Sequence, residues 1–262
     1  MARVTTEIRD HIAYVRLTRA DKRNAVDPEM AEAIVAAGQA LLDADIRAVV
    51  LSGEGKAFCA GLDVMSFAQL AAGDPEALIL PRTHGTGNLF QAVAMVWRQV
   101  PVPVIAALHG VVYGAGFQLA LGADVRIAAP ETELAIMEMK WGLIPDMGGM
   151  ALLPHLTRSD VIRRMTYTAR PISAVQAREW GLVTDLADDP LAVACDLAAE
   201  IAGRSPTAIR AAKRLIGVAE SGVGEAAVLM AESRAQAALI GKPDQMEQIA
   251  ANLAGRAPRF RG

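Results

Sequence analysis

Two cysteines, Cys59 and Cys195, are all that this chain of 262 residues holds. They lie far apart with no partner clusters, which excludes a disulfide framework and a cysteine-rich zinc site. Histidine is also scarce: His11, His84, His109 and His155 never fall three or four apart, so the short helical metal motifs are missing and no metal site is expected. Neither sign of charge dominates, with 26 Lys and Arg against 29 Asp and Glu for a net charge of −3. No bulk positive field exists to draw nucleic acid or an anionic membrane. Long apolar runs are missing too. The most membrane-like stretch, Val100–Ala129, contains Pro101, Pro103, His109, four glycines, Gln118 and Asp124, which a spanning helix of ~20 apolar residues tolerates poorly. The first residues lack the apolar segment and cleavage motif of a signal peptide. The expectation is a reduced, cytoplasmic protein with no membrane or nucleic-acid partner.

What is present is a large potential core. Hydrophobic residues make up 53% of the chain and charged ones 21%, against about 45–50% and about 25% in ordinary globular domains. Only 4% are aromatic, so Ala, Val, Leu and Gly carry the apolar content. Val4–Arg9 and Ala13–Thr18 flank Asp10-His11-Ile12 as a predicted hairpin. Pro28 opens a helix predicted to run through Asp43. Buried strands are predicted at Arg47–Ser52, Val102–Leu108 and Asp124–Ala128. Helices are predicted at Asp63–Ala72, Gly87–Gln99, Pro206–Gly217, Gly224–Ile240 and Pro243–Ala254, with Ala71–Pro81 as a loop. Short strands alternating with helices, then a helical last third, indicate α/β architecture.

Familiar nucleotide and hydrolase motifs fail. A phosphate loop ending at Gly55-Lys56-Ala57 would need Gly at 50 and Ser or Thr at 57, where the chain has Val50 and Ala57. Gly85-Thr86-Gly87 meets Phe90 where a dinucleotide fingerprint needs its third glycine, and no G-x-S-x-G elbow occurs. Two other segments stand out, Lys56–Val64 (KAFCAGLDV) and His109–Ala120 (HGVVYGAGFQLA). Each follows a predicted buried strand and opens a helix, where backbone N–H groups have no intrahelical acceptor. Gly61, Gly114 and Gly116 would let the chain turn and expose those donors as an oxyanion hole. The plainer reading of the same glycines is close helix–strand packing.

Those two segments, together with Arg19–Ala25 (RADKRNA), Gly142-Leu143-Ile144-Pro145 and Thr168–Val183 (TARPISAVQAREWGLV), occur in the order of a known family. The chain resembles the enoyl-CoA hydratase/isomerase (crotonase) superfamily from Val4 to Phe260. The resemblance implies an α/β crotonase-type spiral of ββα units over residues 1–200. It further implies a helical region, 201–262, that supports oligomerisation into a homo-trimer or hexamer and completes the CoA site. It implies an acyl-CoA thioester substrate, with coenzyme A as part of that substrate and no separate cofactor. The oxyanion N–H groups carry over to Leu62 and Ala115. The CoA-lining positions carry over to Lys22, Arg23, Ala25, Ala60, Asp63 and Val64. A solvated basic pair is an equally ordinary explanation of Lys22 and Arg23. Where the family has an aromatic and a lysine near its end, this chain has Asn252 and Gly255, with Arg256 as the substitute.

Family hydratases use two glutamates. The first falls at Gln118, which can orient water but cannot take a proton. The second falls at Glu138, surrounded in sequence by Met137, Met139 and Trp141, whose bulk would desolvate it and raise its pKa. Asp146 stands eight residues on, where family isomerases acting on dienoyl-CoA place an aspartate. The residues alone also allow a surface Glu138 in an ion pair and an Asp146 capping a helix near Gly148. The resemblance points to double-bond isomerisation with Glu138 and Asp146 as catalytic acids. The alternatives are a hydratase in which Gln118 orients water, and an acyl-CoA-binding protein without turnover. RNA binding is excluded at Pro28–Asp45, which holds no Lys or Arg. Arg210, Lys213 and Arg214 read as an exposed helix side, and Phe67–Pro81 as the wall of the acyl pocket.

Overall fold

The computed structural model describes residues 2–65 and 73–260. The first strands, β1 (Val4–Arg9) and β2 (Ile12–Leu17), form the hairpin expected from the alternation. Its turn residues Asp10 and His11 have φ of 49° and 60°, the left-handed pair that matches hairpin twist. Four further strands complete this sheet in the order β1-β2-β3-β4-β6-β9: β3 (Ala48–Gly53), β4 (Val104–Leu108), β6 (Val125–Ala128) and β9 (Asp185–Leu186). Every pairing beyond the hairpin is parallel. A second sheet holds β5 (Val111–Tyr113), β7 (Glu133–Ala135) and β8 (Ile172–Ser173). The chain alternates between sheets, β4 then β5 and β6 then β7, so each spiral turn leaves one strand in each.

Both faces of the large sheet are covered, which is why its parallel strands read as unbroken apolar runs. Val15, Leu17, Val49, Leu51, Val104 and Ala106 share one core with the helices Pro28–Ala40 and Leu89–Gln99. Their alternates Ile12, Val50, Ile105, Ala107 and Ile127 pack against Ala194, Ala198 and Ala202 of the helix Pro190–Ala202. The four-residue spacing of those alanines gives that helix a smooth face that lies close on the sheet.

Two expectations are corrected. Within the predicted loop Ala71–Pro81, Pro75–Ile79 is helical, because Asp74 caps the backbone N–H groups of Glu76 and Ala77 and Pro75 presets the first turn. The predicted helix Asp63–Ala72 lies largely outside the described residues. The supposed basic face of the helix Pro206–Glu220 is also not free. Arg210 donates to the Ile46 carbonyl at 3.0 Å. Lys213 Nζ, its side chain only 11% exposed, donates to the carbonyls of Trp97 (3.1 Å) and Val102 (2.9 Å) and to Asp124 (2.7 Å). Burial pushes the Lys213 ammonium down from its ordinary value while Asp124 opposes the shift. Only Arg214 of the three is exposed. Lys213 thus latches the carboxy-terminal helices to the end of β4. Lys213→Met should cost about 1–3 kcal/mol, the penalty for stranding buried polar groups. A thermal melt reads this as a fall of ~2–4 °C per kcal/mol, and an unchanged melt would show that the latch is dispensable.

Beyond this latch the apolar side chains turn outward. The helix Glu225–Ala237 buries no residue, and Leu229, Met230, Ile240, Ile249 and Leu253 are all exposed. No helix among the described residues is long and apolar enough to cross a membrane.

Candidate active site

The two glycine-bearing segments lie side by side. Phe58 N–H donates to the His109 carbonyl at 2.9 Å, Cys59 N–H to Val111 at 3.2 Å, and Tyr113 N–H to Cys59 at 3.1 Å. Cys59 and Val112 therefore form a parallel bridge between segments about fifty residues apart. The approach is close enough that a side chain at Gly116 would come within 2.5 Å of the Cys59 carbonyl oxygen. Gly114, at φ 49° and ψ −117°, turns the chain from β5 into the helix Ala115–Leu121. Ala115 is the first residue of that helix, so its N–H has no intrahelical acceptor.

Leu62 is exposed to the same space by a different device. Val26 bridges it in parallel fashion, donating to Gly61 and accepting from Asp63, both at 2.8 Å. That pattern uses the neighbours on either side and turns the N–H of Leu62 away from Val26. Leu62 and Ala115 both line one cleft of about 420 Å³, together with Gly61, Gly114, Glu138 and Asp146.

Glu138 opens the short 3₁₀ turn Glu138–Trp141. Its Oε1 accepts from Gln118 Nε2 at 2.6 Å, while its Oε2 is buried with no hydrogen-bond partner among the described residues. Burial raises the Glu138 carboxyl above its ordinary value, and the charge of Asp146 raises it further. Burial raises Asp146 as well. The two plainer readings of these residues fail. Among the described residues Glu138 has no ion pair, and the helix Gly149–Leu152 is capped by Gly148 without any side-chain bond from Asp146.

Gln118, expected to orient water, is 1% exposed and fully occupied at its carbonyl. Its Oε1 accepts from Met147 N–H at 2.8 Å and from Gly149 N–H at 3.0 Å. Its amide thus links the turn after Asp146 to Glu138.

Of the CoA positions, Lys22, Ala25, Ala60, Asp63 and Val64 line the cleft. Arg23 does not; it sits exposed in a left-handed turn at φ 50°. The Asp63 carboxylate is committed within the fold, pairing with Arg19 at 2.8 Å and accepting from Met65 N–H at 3.0 Å. Burial would raise Asp63, but those two partners hold it below the ordinary range. Near the carboxy terminus Arg256 pairs with Glu247 at 2.6 Å, and Asn252 accepts from Gln248. Residues 67–72 of the predicted acyl wall lie outside the described residues, and no residue of 73–81 lines the cleft. Much of its apolar lining comes from Met137, Trp141, Leu143, Ile144 and Met147. Leu143 and Ile144 were not read as lining residues, although two large apolar side chains held at the surface between Gly142 and Pro145 are the signal that could have found them. Asn24 was missed as a structural hub: wholly buried, its Nδ2 donates to the carbonyls of Glu54, Ala57 and Phe58. It pins the start of the Leu62 segment to the Arg19–Ala25 turn.

Comparison with known proteins shows the family. The enoyl-CoA hydratase/isomerase family model matches residues 7–262. The mouse mitochondrial Δ(3,5)-Δ(2,4)-dienoyl-CoA isomerase is 33% identical over 216 residues, covering 79% of this chain. This chain spans 66% of that isomerase's length. (E)-benzylidenesuccinyl-CoA hydratase of Thauera aromatica is 32% identical over 99% of both chains. The crystal structure of an enoyl-CoA hydratase from Bacillus anthracis superposes with a TM-score of 0.87 at 30% identity, over 99% of both chains. With paired sheets, a glycine-built corner and a family match along nearly all its length, the chain belongs to the enoyl-CoA hydratase/isomerase family and has the crotonase fold.

Proposed function

We propose that the protein is an acyl-CoA double-bond isomerase acting on enoyl- or dienoyl-CoA esters. The observation that carries this reading is the Glu138 carboxyl, which lines the same cleft as Leu62 and Ala115 and whose buried Oε2 has no hydrogen-bond partner among the described residues. In this reading the thioester oxygen lies between the Leu62 and Ala115 N–H groups, which stabilise the negative charge that develops as a proton leaves the acyl carbon. Glu138 Oε2 takes that proton. The double bond shifts as a proton returns to a carbon further along the chain, from Glu138 or from Asp146. Raised pKa values suit both groups, because a general base works best when its pKa approaches the operating pH. Neither water nor a resident cofactor enters the balance. Gln118 offers no free acceptor to activate water, since its carbonyl is held by two backbone N–H groups. The name of the dienoyl-CoA isomerase relative supports the same chemistry.

The hydratase reading is favoured by two relatives that match end to end, the benzylidenesuccinyl-CoA hydratase and the Bacillus anthracis enoyl-CoA hydratase. A mass-resolved assay with 2-enoyl-, 3-enoyl- and 3,5-dienoyl-CoA in H₂O and D₂O separates the two readings. Isomerisation should give products of unchanged mass in H₂O with deuterium uptake in D₂O, and Asp146→Asn should slow migration in the dienoyl substrate. Products heavier by one water from 2-enoyl-CoA at comparable rates would establish the hydratase. Lys22, one of two lysines at the cleft, is a cation placed to meet a CoA phosphate. Residues 1–200 act as the spiral core in this reading. The exposed apolar helices of 201–262 are the surface through which copies associate as a trimer or hexamer.

A further inference from the structure

We infer that Gln118 is a positioning residue that yokes the two carboxylates, fixing the rotation of Glu138 and the turn that carries Asp146. The inference rests on the isomerase reading above. An amide can present either end, but here only one orientation satisfies its neighbours. Met147 and Gly149 both aim N–H groups at Oε1, at 2.8 and 3.0 Å. A flipped amide would set its NH₂ against those donors and its carbonyl against a carboxylate. The orientation is therefore locked from behind, and Nε2 must face Glu138 Oε1, which it meets at 2.6 Å. That bond leaves Oε2, which has no hydrogen-bond partner among the described residues, as the oxygen assigned to the substrate proton in the isomerase reading. Met147 directly follows Asp146, so the same carbonyl anchors the backbone beside the second acid. Both functions come from one side chain that is itself 1% exposed.

A glutamate at this position would behave differently. One of its oxygens could still accept from Met147 and Gly149, but the other would face Glu138 Oε1. Two carboxylates at that separation cannot both ionise, and they would share a proton. The charged groups lining the cleft with Glu138 are Asp146, Lys22, Asp63 and Lys140, and all are unchanged in the variants below.

The test follows α-proton exchange into D₂O across pH, together with an infrared titration of the Glu138 carboxyl in the ligand-free protein. Gln118→Glu should move the acid limb of kcat/KM upward by ~1–3 pH units, and the infrared midpoint should move with it. Gln118→Met, similar in length but unable to hydrogen-bond at either end, should lower kcat by ~10²-fold with KM for the CoA ester nearly unchanged. If Gln118→Met does not fold, Gln118→Glu alone decides. An infrared midpoint that stays with the parent's in Gln118→Glu overturns the yoke, as does parental kcat in a folded Gln118→Met. A parent inert in exchange would instead sink the isomerase reading, and the infrared titration would still decide the yoke.

Discussion

Glu138→Gln should lower double-bond migration and α-proton exchange by ~10²–10⁴-fold, the contribution of a positioned general base, and at the same time stabilise the protein at neutral pH. The second half follows from linkage. Burial raises the folded-state pKa of Glu138, so the folded protein favours its protonated form. The stability this contributes is fully present below the unfolded pKa and is lost as pH rises through the raised folded value. Glutamine carries no charge to desolvate and can still accept from Gln118. The melting temperature of the variant should match the parent's in mild acid and exceed it at neutral pH, by ~2–4 °C for each kcal/mol gained. A variant that loses stability at neutral pH would show that the ionised carboxylate is held by favourable contacts rather than strained by burial.

Ala115→Pro is the second large effect. Proline fits the first position of a helix, where its missing N–H had no intrahelical acceptor. Gly114, without a side chain, accommodates the proline ring that follows it. The fold should therefore persist while one oxyanion donor disappears, which costs about 2.7–4 kcal/mol of transition-state stabilisation. The measurement is kcat/KM alongside a thermal melt. A variant that melts like the parent and turns over at the parental rate would move the oxyanion site elsewhere.

The sequence was most legible where one periodicity dominated. The runs AVVLS and VIAAL announce strands buried on both faces, and Asp27-Pro28 announces a helix start that the structure caps through Met30 N–H. The strands β5, β7, β8 and β9 were not read, because two or three residues show no alternation and their pairing is set by distant segments. The predicted helix Pro28–Asp43 stops at Ala40 because its end is decided by local packing rather than composition. At the site, the family resemblance pointed to Leu62, Ala115, Glu138 and Asp146, but a sequence records no hydrogen bonds. Nothing in the string of letters tells that both ends of Gln118 are engaged, that Asp63 belongs to Arg19, or that Lys213 faces inward. Those facts depend on residues 20 to 116 positions away meeting in space.

Cys59 gives the corner that holds Leu62 and Ala115 a built-in clock. Its thiol is wholly buried, donates to the Asn24 carbonyl at 3.0 Å, and is pushed up to about 12 by burial. A thiol-labelling reagent meets an unreactive, inaccessible group as long as the segment around it stays docked on β5. Undocking that exposes the sulfur also separates Leu62 from Ala115, so the labelling rate reports how often the corner comes apart. Cys195, only partly buried on the helix Pro190–Ala202, labels through a different local opening and serves as the internal reference. The lifetime of the assembled corner is thereby measurable in the unmodified chain, with no substrate present.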